Sequence, residues 1–209
     1  THYMPKASGD YGIRVNIYAY TALILVILTF GMETTFFRFA NKEGEKADTV
    51  FSTAFTVVTI LSAVFLVLIF CFISPISEGL NYVGHEDYLL MMAVVVTLDA
   101  IQAIPFSYLR YKKRPLKFAA LKLLFILFNI VLNIIYFVLL NKTEVFYVFA
   151  INLWCTTLIT FFFLPELLRM KWKFDLQLLK RMLSYSWPIL VLGIAGVLNQ
   201  TADKIIYPL

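Results

Sequence analysis

The chain has 209 residues, 61% of them hydrophobic and 15% charged, with a net charge of +5. A soluble domain carries about 45–50% apolar and about 25% charged residues. A globule facing water is therefore excluded, because so few charges could not cover its surface. The positive balance does not point to nucleic acid either. The basic residues lie in short stretches between apolar runs, and the twenty Phe lie inside those runs.

In chain order, six apolar runs are long enough to cross a bilayer as helices. They are Ile13–Phe39, Val50–Ile73, Tyr88–Tyr111, Leu116–Leu140, Val145–Leu168 and Trp187–Tyr207. A transmembrane barrel would show short alternating strands instead. The fold class expected is all-α, a polytopic transmembrane helix bundle. The connections are short: Asn41–Lys46, Ser77–Asp87 and Asn141–Glu144 lie between successive runs. Pro115 is placed to open the fourth helix, where a missing N–H costs little. Pro188 is placed to do the same for the sixth, with Ser186 as its N-cap. Between the fifth and sixth runs, Asp175–Leu183 is amphipathic, with Leu176, Leu179 and Leu183 on one face. It reads either as an interfacial helix on the inner leaflet or as a plain loop helix. Cys71 and Cys155 fall inside apolar runs and are expected to be buried free thiols. The chain starts at Thr1 in a loop-like stretch and stops just after an apolar run, so it reads as an internal piece of a longer protein.

Most of the 18 Lys and Arg residues sit in alternate connections. Arg38, Lys42 and Lys46 flank the first. Arg110, Lys112, Lys113, Arg114 and Lys117 surround the third, and Arg169, Lys171, Lys173, Lys180 and Arg181 the fifth. The second has none and the fourth only Lys142. By the positive-inside rule the first, third and fifth connections face the cytoplasm.

Ionisable side chains inside a span cost about 2.5–3.5 kcal/mol on insertion scales, which marks them as functional candidates. Asp99 stands near the middle of the third run, with Gln102 on the same face and Pro105 placed to kink the helix. Glu33 lies beside Gly31 in the first run. Arg38 follows five residues later, about 140° around the helix, so direct pairing with Glu33 is not expected. Arg38 and Lys122 are near span ends and can snorkel. Asn129 and Asn133 share a face of the fourth run near Tyr136. Asn152 lies in the fifth; Asn199, Gln200, Asp203 and Lys204 lie in the sixth. The asparagines read first as helix–helix contacts. His85-Glu86-Asp87 has no metal-ligand spacing. No phosphate loop, nucleophile elbow or paired-aspartate motif appears, so neither an enzyme nor a cofactor is expected.

Several stretches carry a family resemblance. Met4–Gly12 is similar to the outer turn between the first two helices of bacterial polysaccharide-biosynthesis membrane proteins. These are Wzx-like flippases of the multidrug/oligosaccharidyl-lipid/polysaccharide exporter superfamily. Thr29–Phe39 resembles the end of their second helix. Leu164-Pro165-Glu166, Phe174-Asp175 and Leu179–Pro188 resemble their passage from sixth to seventh helix, and Asn199–Lys204 fits the seventh. The resemblance implies a two-lobed transporter. Residues 1–173 would be helices two to six of an N-terminal lobe, 174–186 an interlobe linker, and 187–209 the first helix of the C-terminal lobe. It implies flipping of an undecaprenyl-diphosphate-linked oligosaccharide in the bacterial inner membrane, coupled to H+ or Na+. Arg38 would hold the diphosphate. Glu33, Asp99, Gln102, Asn129 and Asn133 would be ion-coupling or cavity residues. A multidrug exporter of the same superfamily, or a membrane scaffold that transports nothing, are the alternatives.

Overall fold

The computed structural model describes residues 8–80, 86–139, 146–169 and 172–206. Met4–Ala7, His85, the Asn141–Glu144 connection, Lys171 and the side chains of Asp203 and Lys204 lie outside the described residues. The described chain is helical, and six of its helical stretches are long and apolar enough to cross a membrane. The elements are α1 (Ser8–Thr29), α2 (Met32–Ala40), α3 (Ala47–Cys71), α4 (Ile73–Gly79), α5 (Glu86–Tyr111), α6 (Pro115–Ile134), α7 (Phe146–Arg169) and α8 (Leu176–Ile206). A π-helical turn, Ile135–Leu139, ends the α6 span.

The first run is not one straight helix. Phe30 and Gly31 both take left-handed conformations, at φ 49° and 63°, and divide α1 from α2. Beside the break, two threonine hydroxyls bond back to the preceding turn. The Thr29 hydroxyl donates to Leu25 O at 2.9 Å, and that of Thr35 to Gly31 O at 3.0 Å. Pro115 opens α6 as expected. Pro105 sits buried within α5, which runs unbroken past it.

α5 is the central helix, packed against α1, α3 and α7 and touching α2, α4 and α6. The main core joins Met32 and Phe36 of α2, Val50, Phe51, Ala54 and Val58 of α3, and Val96, Ala100 and Ile104 of α5. Phe36 is fully buried, with the rings of Phe51, Tyr108 and Tyr111 each within 6.4 Å. A second core, Phe106, Leu109, Leu121, Ile159 and Phe163, joins α5, α6 and α7. In contrast, α6 buries only Leu121 and exposes Leu123, Ile126, Leu127, Ile130 and Val131. A helix apolar on all sides with one packed face suits a lipid surround.

The amphipathic stretch and the sixth run form one continuous helix, α8, with Pro188 inside it. Ser186 is therefore not an N-cap. Its side chain is fully buried, and its hydroxyl lies 2.6 Å from that of Thr35. The cap is Asp175, whose Oδ1 accepts from Gln177 N at 2.8 Å and Leu178 N at 3.0 Å. The face that packs is also shifted from the one expected. Leu178, Met182 and Ser186 are fully buried, whereas Leu176 is exposed. The cause is the segment before the cap, which is strapped to the start of α3. The Ser52 hydroxyl bonds with Lys173, and Thr53 Oγ1 accepts from Asp175 N at 3.4 Å. These bonds rotate α8 so that the Leu178–Met182–Ser186 row meets α2 and α3.

The three basic connections meet at one end of the bundle. Arg181 pairs with Glu45 at 2.7 Å, and Lys112 with Asp48 at 3.8 Å. The Tyr108 hydroxyl donates to Asp48 at 2.8 Å, and that of Tyr111 to Ala40 O at 3.1 Å. The other end holds α4 and the ring contacts of Tyr88 with Phe146 and Phe149. This is the arrangement that the alternation of loop charge predicts.

Candidate functional site

At the basic end, α2 and α8 lie side by side and diverge below the Thr35–Ser186 contact. Between them is an open pocket of about 590 Å³, lined by Arg38, Phe39, Lys42, Lys180, Arg181, Ser184 and Tyr185. Arg38 lies in the last turn of α2 and Lys42 in the turn just after it, and both border the pocket. On α8, Lys180 and Ser184, and Arg181 and Tyr185, form two adjacent rows, the members of each one turn apart. The buried Leu178–Met182–Ser186 row fixes the direction of both.

Arg38 is held by an aromatic face. Its guanidinium carbon is 4.0 Å from the centre of the Tyr185 ring. Such stacking leaves the edge N–H groups available to an anion. Lys42 Nζ lies 5.9 Å from the Phe39 ring, which packs against Tyr185. Four cations thus border one opening, and one of them, Arg181, is paired with Glu45. The arrangement suits an anion with several oxygens, because each guanidinium can bond two of them at once.

The remaining candidates are placed elsewhere. Glu33 is on the other side of α2, where its Oε2 accepts from Arg110 at 3.0 Å and from Ser107 Oγ at 3.2 Å. Arg110 also lies 5.1 Å from the Phe37 ring and 5.6 Å from that of Phe118. The separation from Arg38 agrees with the expected angle, but the partner Arg110 was not foreseen. It is 77 residues away, and no local spacing reports such a contact.

Gln102 is 5% exposed, and its Nε2 donates to Thr156 O at 3.0 Å and Thr160 Oγ1 at 2.8 Å. It ties α5 to α7 and does not line the basic pocket. Gln102→Ala should lower stability by about 1–2 kcal/mol, the loss of an interhelical amide contact and its packing, with anion binding unchanged. Thermal melting in detergent and calorimetric titration would read the two effects. Asn133 Nδ2 donates to Asn129 O at 2.7 Å and to its Oδ1 at 3.0 Å, so this pair is satisfied along α6. It too is outside the pocket. Lys122 Nζ rests 4.2 Å from the Phe106 ring. Asp99 is half-buried on α5 and makes no hydrogen bond or ion pair among the described residues; the charge of Lys122 is the one that reaches it. Of the candidates named from sequence, only Arg38 enters the pocket among the described residues. Lys42, Lys180 and Arg181 were read as loop or interfacial residues and Tyr185 was not singled out; the Lys180-Arg181 pair was the available signal. Cys71 and Cys155 are free thiols; Cys155 is buried as expected, whereas Cys71, at the end of α3, is exposed.

Six apolar spans, with α5 at their centre and the basic connections gathered at one end, define a multi-pass membrane protein. The chain matches the family model for polysaccharide biosynthesis proteins over residues 7–207, and it belongs to that family. No curated protein and no solved structure matches it at a significant level.

Proposed function

We propose that this chain is part of a flippase that moves an undecaprenyl-diphosphate-linked oligosaccharide across the bacterial inner membrane for cell-surface polysaccharide synthesis. The basic pocket between α2 and α8 carries this reading, since it gathers cations where a lipid diphosphate would approach from the cytoplasmic leaflet. Membership of a polysaccharide biosynthesis family supports it. The basic end faces the cytoplasm. Residues 1–173 belong to one lobe, 174–186 join it to a second, and 187–209 begin that second lobe. Rocking of the lobes gives alternating access. Arg38 holds a phosphate group, and Asp99 or Glu33 couples the cycle to H+ or Na+.

Two observations favour this reading over its rivals. A multidrug exporter of the same superfamily would present an aromatic, acidic cavity to cationic drugs, whereas this pocket is basic. A scaffold would satisfy its intramembrane carboxylates in helix contacts; Glu33 is bonded by Arg110 and Ser107, whereas Asp99 makes no hydrogen bond or ion pair among the described residues. The test is complementation. Arg38→Ala, in the full-length protein expressed in a flippase-deficient strain, should abolish surface polysaccharide at unchanged protein level. Normal polysaccharide would end the assignment of Arg38 to the substrate.

A further inference from the structure

One cation of the basic pocket is already occupied. Arg181 NH2 is 2.7 Å from Glu45 Oε1, and the Glu45 side chain is 17% exposed against 48% for Arg181. Glu45 comes from the turn between α2 and α3, whereas Arg181 comes from α8. The pair therefore ties the α2–α3 turn to α8 at a residue that lines the pocket. Arg38 is arranged differently: its guanidinium stacks on Tyr185 at 4.0 Å and has no carboxylate partner among the described residues. The two guanidiniums are thus unequal. One is oriented and open to a ligand; the other is held by an internal anion.

We propose that Arg181 is a second phosphate-binding residue of the pocket and that Glu45 is its resident competitor, displaced when a diphosphate binds. The proposal rests on the reading of the pocket as a phosphate site given above. Arg181 and Tyr185 form one row of α8, one turn apart, and Tyr185 supports Arg38. The two guanidiniums therefore belong to the same patch, and a ligand with two linked phosphates has one group for each. The Arg181 NH2 group is held by Glu45 and cannot turn to a phosphate oxygen while that ion pair lasts. Two-point contact of Arg181 with a phosphate then exchanges Glu45 for phosphate oxygen at that nitrogen. The exchange is favourable because the pocket presents three further cations to the same ligand and none to Glu45's replacement by a neutral molecule. No bond is made or broken in the step. Glu45 opposes binding by the strength of its own pair with Arg181, which for a half-exposed pair corresponds to a change of up to about fivefold in affinity.

The experiment is a double-mutant cycle on the full chain in phosphatidylcholine nanodiscs, at low ionic strength, with symmetric dimethyl diphosphate as probe and calorimetry as readout. Wild type should bind the probe, and Arg38→Ala should weaken binding at least about tenfold. Glu45→Gln should tighten it about fivefold, Arg181→Ala should weaken it, and Glu45→Gln should have no effect in the Arg181→Ala background. If Glu45→Gln tightens binding equally with and without Arg181, Glu45 acts by plain repulsion and the competition is overturned, while the pocket stands. If Glu45→Gln leaves affinity unchanged in both, the competition is likewise overturned. If wild type and Arg38→Ala both fail to bind, the phosphate reading of the pocket itself falls. Circular dichroism of each variant guards against misfolding, and Glu45→Asp, which keeps the charge, should restore wild-type affinity within about twofold.

Discussion

Gly31→Val should destabilise the protein by about 3 kcal/mol or more. Two independent costs add. Gly31 has φ 63°, a conformation that β-branched residues rarely adopt. A Cβ there would also lie 2.9 Å from Ile189 Cγ2, 3.0 Å from Ile189 Cβ and 3.4 Å from Ser186 O. Those atoms belong to α8, so relief of the clash requires α8 to move off the α1–α2 junction. The Thr35–Ser186 hydrogen bond and the Phe30–Trp187 ring contact lie at the same crossing and would be lost together. The expected result is a melting temperature lowered by roughly 6 °C or more in detergent, with helical content retained below the transition and Trp187 emission shifted. An unchanged melting temperature would show that the close approach of α8 does not contribute to stability. The control is Phe30→Gly, which keeps the break but relieves the φ 49° of a bulky residue. It should leave stability unchanged or raise it by up to about 1 kcal/mol, as the relief of strain competes with loss of the Trp187 contact.

Asp99→Asn should move stability and transport in opposite directions. Asp99 is half-buried in the middle of the α5 span and lacks a hydrogen bond or ion pair among the described residues. A carboxylate so placed is costly, and the neutral isostere removes most of that cost. Stability should rise by about 1–2 kcal/mol. If Asp99 couples transport to an ion, the same change should reduce surface polysaccharide at least about tenfold, because an amide neither takes up nor releases a proton at that position. Anion binding at the basic pocket, which involves α2 and α8, should not change. Complementation, thermal melting and titration together give three readings from one variant. Full transport by a stabilised Asp99→Asn protein would remove Asp99 from the coupling role. A destabilised variant would mean that Asp99 has a structural partner after all.

The division of labour among the polar residues was only partly legible in the sequence. Gln102 and Asp99 share a helix face by spacing, yet one donates two hydrogen bonds to α7 while the other makes none among the described residues. Spacing reports the angle around a helix but not which neighbour stands there. Glu33 and Arg38 illustrate the same limit from the other side. Their angular separation was correct, and it correctly denied them a mutual contact, but it could not supply Arg110 for one and Tyr185 for the other. Both partners are distant in sequence, so each pairing exists only once the helices are assembled.

By itself the sequence determined the number of spans, the approximate ends of all but the sixth, and their alternation of direction. The physical reason is that lipid imposes a length of apolar run on each helix, and the distribution of Lys and Arg marks the ends without reference to packing. Tertiary structure alone decided where the first run breaks, how α8 is rotated and which cations share a pocket. The break at Phe30-Gly31 is tolerated because α8 comes close enough to use the missing Cβ of Gly31. The rotation of α8 depends on Ser52 and Thr53 of α3 holding residues 173–175 in place. An amphipathic stretch by itself can turn its apolar face to a leaflet or to a helix bundle with similar ease. Here the bundle prevails, since it offers Leu178 and Met182 full burial and the strap restrains the chain beside it. That choice turns Lys180 and Arg181 from interfacial charges into the α8 wall of the pocket that α2 completes with Arg38 and Lys42.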